Sequence, residues 1–218
     1  MCYSAESSLI SFLVGFTVSF ILFQKKDIYL KHLGFHFMTV VLMQLAEFFL
    51  WISYKHCSKI NQLVSKSIPW ILMTQIYSLI LGGYIFKTIP IKSKQYKMIL
   101  LLFTIYYIYV SFKPFLSRKR FCTKPDPKTQ SLQWDHYDEF MIQSTKAESI
   151  YFLFGHVFLL ILSYHSKKWF FSYIILCLFY NLSVKKQDRN YSVWCFYSAG
   201  IPIILLFSTY IVEKLQSR

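Results

Sequence analysis

The chain has 218 residues, 55% of them hydrophobic and 20% aromatic, with a formal net charge of +14. Its apolar runs are too long, and apolar on too many faces, for the amphipathic elements of a soluble domain of this size. The positive charge does not point to nucleic acid: the lysines sit in short loops between apolar runs, where each gains about 1 kcal/mol against anionic lipid head groups, and no nucleic-acid-binding module is recognisable.

The opening residues lack the positive region of a cleavable signal peptide, so the first apolar run is expected to remain as a helix. Cys2 stands where myristoylation requires glycine, and no prenylation cysteine ends the chain. In chain order the apolar runs predict seven spans, at about Ser8–Phe23, Leu33–Tyr54, Ile68–Phe86, Met98–Phe112, Ser149–Tyr164, Trp169–Val184 and Tyr191–Val212. The expected architecture is an all-α, multi-spanning transmembrane bundle in one domain over 1–218. Trp51, Trp70, Trp169 and Trp194 are expected at span ends, as interfacial belts.

A polar segment at about 113–148 separates the fourth and fifth spans. It is long enough to be a lid-like loop or partly disordered. Seven spans put the two termini on opposite faces. With the N-terminal face named side A and the opposite face side B, the short side-B loops are richer in lysine (Lys25, Lys26, Lys31, Lys87, Lys92, Lys94, Lys97). That favours an outside N-terminus and a cytoplasmic C-terminus, while Arg118-Lys119-Arg120 in the long loop pulls the other way. Cys2, Cys57, Cys122 and Cys195 fall on or near side A. An oxidising face would allow disulfides among them in three alternative pairings, and unrelated thiols are the other reading. Asn190-Tyr191-Ser192 is a glycosylation sequon on the same side, close to the membrane.

Ala5-Glu6-Ser7 precedes Phe12-Leu13-Val14-Gly15, and Ala147-Glu148-Ser149 precedes Phe152-Leu153-Phe154-Gly155. The echo suggests a three-plus-one-plus-three parallel repeat, a plan used by small-solute transporters.

Glu47 is the sharpest residue, because an ionisable group inside a span costs about 2.5 kcal/mol or more. Gln44 lies one turn away, Met43 and Trp51 share its face, and His156 lies mid-way along the fifth span. A proton relay or cation site is one reading. A carboxyl held neutral by burial and bonded to a local partner is the other. His32 and His36 are one turn apart and His165 is expected on the same membrane side, which makes them candidate zinc ligands. Asp27 is the nearest carboxylate to complete that set. Asp135-His136-Tyr137-Asp138-Glu139 reads as a solvated loop before it reads as a divalent-cation site. Gly82-Gly83 and Gly155 suit close helix packing, and Pro202 a kink in the last span that frees a carbonyl near Ser198. No phosphate loop or nucleophile elbow is visible, and no cofactor is expected.

Three stretches carry a resemblance: Met1-Cys2-Tyr3-Ser4-Ala5-Glu6-Ser7, Met43-Gln44-Leu45-Ala46-Glu47-Phe48-Phe49-Leu50-Trp51, and Ser192-Val193-Trp194-Cys195-Phe196 with Pro202 beyond. Together they resemble a family of uncharacterised polytopic membrane proteins of large DNA viruses, algae and protists, which open Met-Cys-Trp-Ser-Ala-Glu. Tyr3 departs from that opening. The resemblance implies that Cys2, Glu6, Glu47, Trp51, Trp194 and Cys195 form one shared feature, and it brings no assigned activity. The leading expectation is a small-solute or ion transporter-like protein. A membrane-embedded metal-dependent hydrolase and a structural or host-interaction protein without catalysis are the alternatives. Enzyme activity is left open, leaning against.

Overall fold

A computed structural model describes residues 4–88, 93–127, 132–134, 200–210 and 214. The spans expected at Ser149–Tyr164 and Trp169–Val184 lie outside the described residues, as do the first part of the last span and the second half of the proposed repeat. Within the described residues the chain is all-α apart from one small ladder, and four helices are long and apolar enough to cross a membrane.

The first helix, α1, covers Ala5–Phe23. Ser4 caps it by accepting from the Ser7 N–H at 3.2 Å, which satisfies one of the orphan donors of a helix start. Asp27 begins the next helix, α2 (Ile28–Val40), by accepting from the Tyr29 and Leu30 N–H groups. That engagement turns the candidate metal carboxylate into a helix cap. Val41 keeps helical backbone angles, and α3 (Leu42–Ser53) follows with a 3₁₀ turn at Tyr54–His56. The three pieces act as one span, Ile28–His56, of 29 residues. At about 1.5 Å per residue it exceeds ~30 Å of hydrocarbon, so its ends reach the interfaces.

The fourth helix, α4, covers Lys59–Ile85. It starts nine residues before the expected Ile68, with Ser58 as its cap. The polar stretch Lys59–Ser67 reads as loop in sequence because its buried side chains, Asn61 and Ser65, are polar rather than apolar. The earlier start also moves Trp70 away from a span end: it lies midway along α4, where its indole N–H donates to the Tyr107 hydroxyl. The fifth helix, α5, covers Ser93–Leu116.

Sequential helices pack side by side: α1 against α2 and α3, those two against α4, and α4 against α5. The central pair is the most buried, while α1 and α5 present exposed apolar faces, including Leu13, Phe16, Leu101 and Ile105. Such faces suit hydrocarbon. The described stretch of a last helix, α6 (Gly200–Tyr210), adds Ile201 and Leu205 to the core beside Leu33, Phe37 and Val40. Pro202 lies within α6, and Ser198, the residue near the carbonyl its expected kink would free, lies outside the described residues.

Two glycines decide how close the helices come. A Cβ on Gly34 would sit 2.4 Å from the Phe23 amide nitrogen and 2.6 Å from the Ser19 carbonyl oxygen. A Cβ on Gly82 would sit 2.3 Å from the His32 ring. Glycine at both places lets helices touch through backbone and imidazole.

The start of the long polar segment is folded. Residues 117–127 run back over the side-A end of α4, and Lys124 and Pro125 pair antiparallel with Gln133 and Leu132, as strands β1 and β2. Phe121, Thr123, Leu132 and Trp134 are buried. The acidic end of the segment, Asp135–Glu139, lies outside the described residues.

Candidate functional site

The buried polar residues of the central helices fall into two groups, one toward each membrane face. Glu47 belongs to the side-A group, nine residues before the end of its span, about 14 Å of helix from that end. Both Glu47 and Gln44 are fully buried, and the Gln44 amide Nε2 donates to Glu47 Oε2 at 3.3 Å. On the same helix, Met43, Ala46 and Leu50 pack with Ile68, Ile71 and Leu72 of α4. Leu132 and Trp134 close this cluster from the cap, and Trp51 packs on it half-buried.

Three polar atoms in this half have no hydrogen-bond partner among the described residues: Trp51 Nε1, Ser8 Oγ and, on α5, Ser111 Oγ. The register of α1 follows from Ser19 and Phe23 touching Gly34. Counting back along antiparallel helices puts Ser8 at the depth of Glu47. Serine in an apolar helix gives no signal of its own, so sequence reasoning passed it over; the close approach at Gly34 is what sets its level. Glu6 lies two residues earlier and is exposed. Cys2, His156, Trp194 and Cys195 lie outside the described residues.

The side-B group holds His32 and His36. His32 Nε2 donates to the Leu79 carbonyl at 2.9 Å, which leaves Nδ1 of the neutral ring to accept from the Thr88 hydroxyl at 2.7 Å. His36 Nδ1 donates toward the Gln75 carbonyl at 3.1 Å and the Ser78 hydroxyl at 3.0 Å. Thr39 donates to the His36 carbonyl at 2.6 Å and meets Ser78 at 2.9 Å. Both ring nitrogens of His32 are thus engaged by protein groups, with no lone pair turned toward a metal. No group of three or more His, Cys, Asp or Glu side chains suited to a metal occurs among the described residues. His165 lies outside them.

A third polar knot fastens the cap. Asn61 Nδ2 donates to the Thr123 carbonyl and Asn61 Oδ1 accepts the Thr123 N–H, both at 3.0 Å. The Ser65 and Thr123 hydroxyls meet at 2.8 Å. Lys66 Nζ donates to the Ser117 carbonyl at 3.0 Å and lies over the Phe121 ring. Cys57 and Cys122 form a disulfide, with Cα atoms 5.4 Å apart. This is one of the pairs the side-A cysteines allowed.

The fold defines a class: a helical protein with four helices long and apolar enough to cross a membrane, with a buried carboxyl, Glu47, within one of them and a disulfide-linked cap. No protein-family model, no curated protein and no solved structure matches the chain.

Proposed function

We propose that the chain is a small-solute or ion transporter-like membrane protein, with Glu47 as the binding or coupling carboxyl. The observation that carries this reading is a carboxyl with no solvent exposure, held by Gln44 inside a span, in the half of the bundle where Ser8 Oγ and Trp51 Nε1 are left over. An ionised carboxylate at such depth is costly unless it holds a proton or lies against a cation. Exchange of one for the other is the chemistry this position can do. Seven helices in a three-plus-one-plus-three arrangement belong to this proposal, as does the placement of Cys2, Trp194 and Cys195 around Glu47. An outside N-terminus and a cytoplasmic C-terminus also belong to it. The Cys57–Cys122 disulfide on side A supports that orientation, because such bonds persist in oxidising compartments.

The test is proton and monovalent-cation flux into liposomes carrying the full chain, compared with Glu47→Gln. Flux that falls at least tenfold in a folded Glu47→Gln protein supports the proposal. Equal flux in both, or none in either for the ions tried, sinks it. A structural role is the second reading, favoured by the seal that Leu132 and Trp134 place over the Glu47 half. Under that reading Glu47→Leu is neutral or stabilising, as replacement of buried polar groups by apolar ones often is.

A further inference from the structure

We propose that the Cys57–Cys122 disulfide is a redox latch on the side-A cap: reduced, the cap lifts off α4; oxidised, it stays closed. The role of this latch in admitting solute to Glu47 rests on the transport reading above; the latch itself does not.

The covalent bond joins the two parts that must separate. Cys57 lies between the end of one span and the start of α4, and Cys122 lies between buried Phe121 and buried Thr123 in the cap. Apart from that bond, residues 117–127 are attached to α4 mainly through the hydrogen bonds of Thr123 and Ser117. Only Phe121 and Thr123 are buried there, and β1 and β2 are two residues each. Arg118, Lys119, Arg120 and Lys124 are exposed. The knot of Asn61, Ser65 and Thr123 sits one residue from the cross-link, so the disulfide holds in register the hydrogen bonds that otherwise attach the cap.

A second feature singles out Cys57. Its backbone is left-handed, at φ 44° and ψ 48°, where glycine or asparagine is ordinarily preferred. A cysteine with this backbone is accounted for by the work of its side chain. Gln62 Nε2 donates to the Cys57 carbonyl at 3.0 Å and holds the turn.

The chemistry is thiol–disulfide exchange. A dithiol reductant attacks one sulfur, then closes to its own disulfide. The Cys57–Cys122 bond breaks, and its sulfurs receive two electrons and two protons to become two thiols. Closure reverses this, with a disulfide-bearing oxidant taking the two electrons and leaving as a dithiol.

The experiment uses the full chain in lipid nanodiscs. A non-reduced digest is first searched for the peptide pair linked through Cys57 and Cys122. Hydrogen exchange is then followed by mass spectrometry with and without dithiothreitol, and in the Cys57→Ser, Cys122→Ser double variant. The latch predicts that exchange over 117–127 rises about tenfold on reduction and in the variant. It also predicts that exchange over 68–85 stays constant, and that reoxidation restores protection in the wild type. Free thiols at both positions in the isolated protein, or cap exchange that ignores reduction, overturns it. Because reduction acts on protein already folded, poor folding of the variant does not block the test. Exchange over 42–53 is read in the same samples. A cap that lifts while 42–53 stays protected supports the latch and removes its role in access to Glu47.

Discussion

At the side-B end of the central helices, His32 and His36 bond to the Leu79 and Gln75 carbonyls and to the Thr88 and Ser78 hydroxyls. Gly82 lets the His32 ring lie against α4. At the side-A end, Gln44 and Glu47 are as deeply buried, but Ser8, Trp51 and Ser111 keep polar atoms without partners among the described residues, and a cap adds to the closure made by the helices. The contrast separates two uses of a buried polar group. A ring such as His32, whose two nitrogens are both engaged by protein groups, is a fastener, because removing it strands its partners. One that lies among polar atoms left unpartnered among the described residues, beneath a cap, is where the transport proposal places a change of occupancy.

The comparison can be broken from the side-B end first. Gly34→Leu forces α1 away from α2 and is expected to cost about 3 kcal/mol, at the upper end of overpacking effects. Thermal unfolding in detergent reads this, with Gly200→Ala as the control, since nothing lies within 4 Å of a Cβ there. A small loss at Gly34 would mean that the two helices adjust freely and that the register placing Ser8 level with Glu47 is loose.

Next in size is the direct contrast of fastener and site. His32→Phe leaves the Leu79 carbonyl and the Thr88 hydroxyl without their partner and is expected to lose about 1–2 kcal/mol. Glu47→Gln, which keeps shape and polarity, is expected to stay within about 0.5 kcal/mol. The same unfolding assay measures both. The reverse order, a tolerant position 32 and an intolerant position 47, would make Glu47 the fastener and undo the distinction.

The smallest expected effect sharpens the account of the cap. Lys66→Met removes a partly exposed charge from the Ser117 carbonyl while keeping most of the stem that covers Phe121. It is expected to change stability by about 0.3 kcal/mol and to leave protease resistance of the Arg118–Arg120 stretch unchanged. Marked sensitivity there would shift the hold on the cap from Asn61 and Cys57 to Lys66.

Much of the fold is readable in particular runs. Ser8–Phe23 and Leu33–Tyr54 contain so little that is polar that a helix crossing hydrocarbon satisfies the backbone without help. The start of α4 is not readable in this way. Asn61 and Ser65 look like loop residues until Thr123, 62 positions from Asn61, supplies their partner. The site divides likewise. Glu47 and Gln44 stand out because a carboxyl and an amide one turn apart within a span have few ordinary explanations. Ser8, Trp134 and Thr88 carry no mark that their sequence neighbours reveal. His32 and His36 have a spacing suited to zinc, and among the described residues their rings bond to α4 and Thr88.

By itself, the sequence determined an all-α architecture with helices long enough for a bilayer, and a carboxyl at position 47 inside one of them. Hydrocarbon thickness and the cost of burying polar backbone act on local runs of residues, so composition along the chain is sufficient. Only the tertiary structure decided that Cys57 pairs with Cys122, that Gly34 and Gly82 set the helix spacing, and that the start of the polar segment folds as a cap. Those outcomes join residues far apart in the chain, through geometry and hydrogen-bond satisfaction that no local pattern encodes.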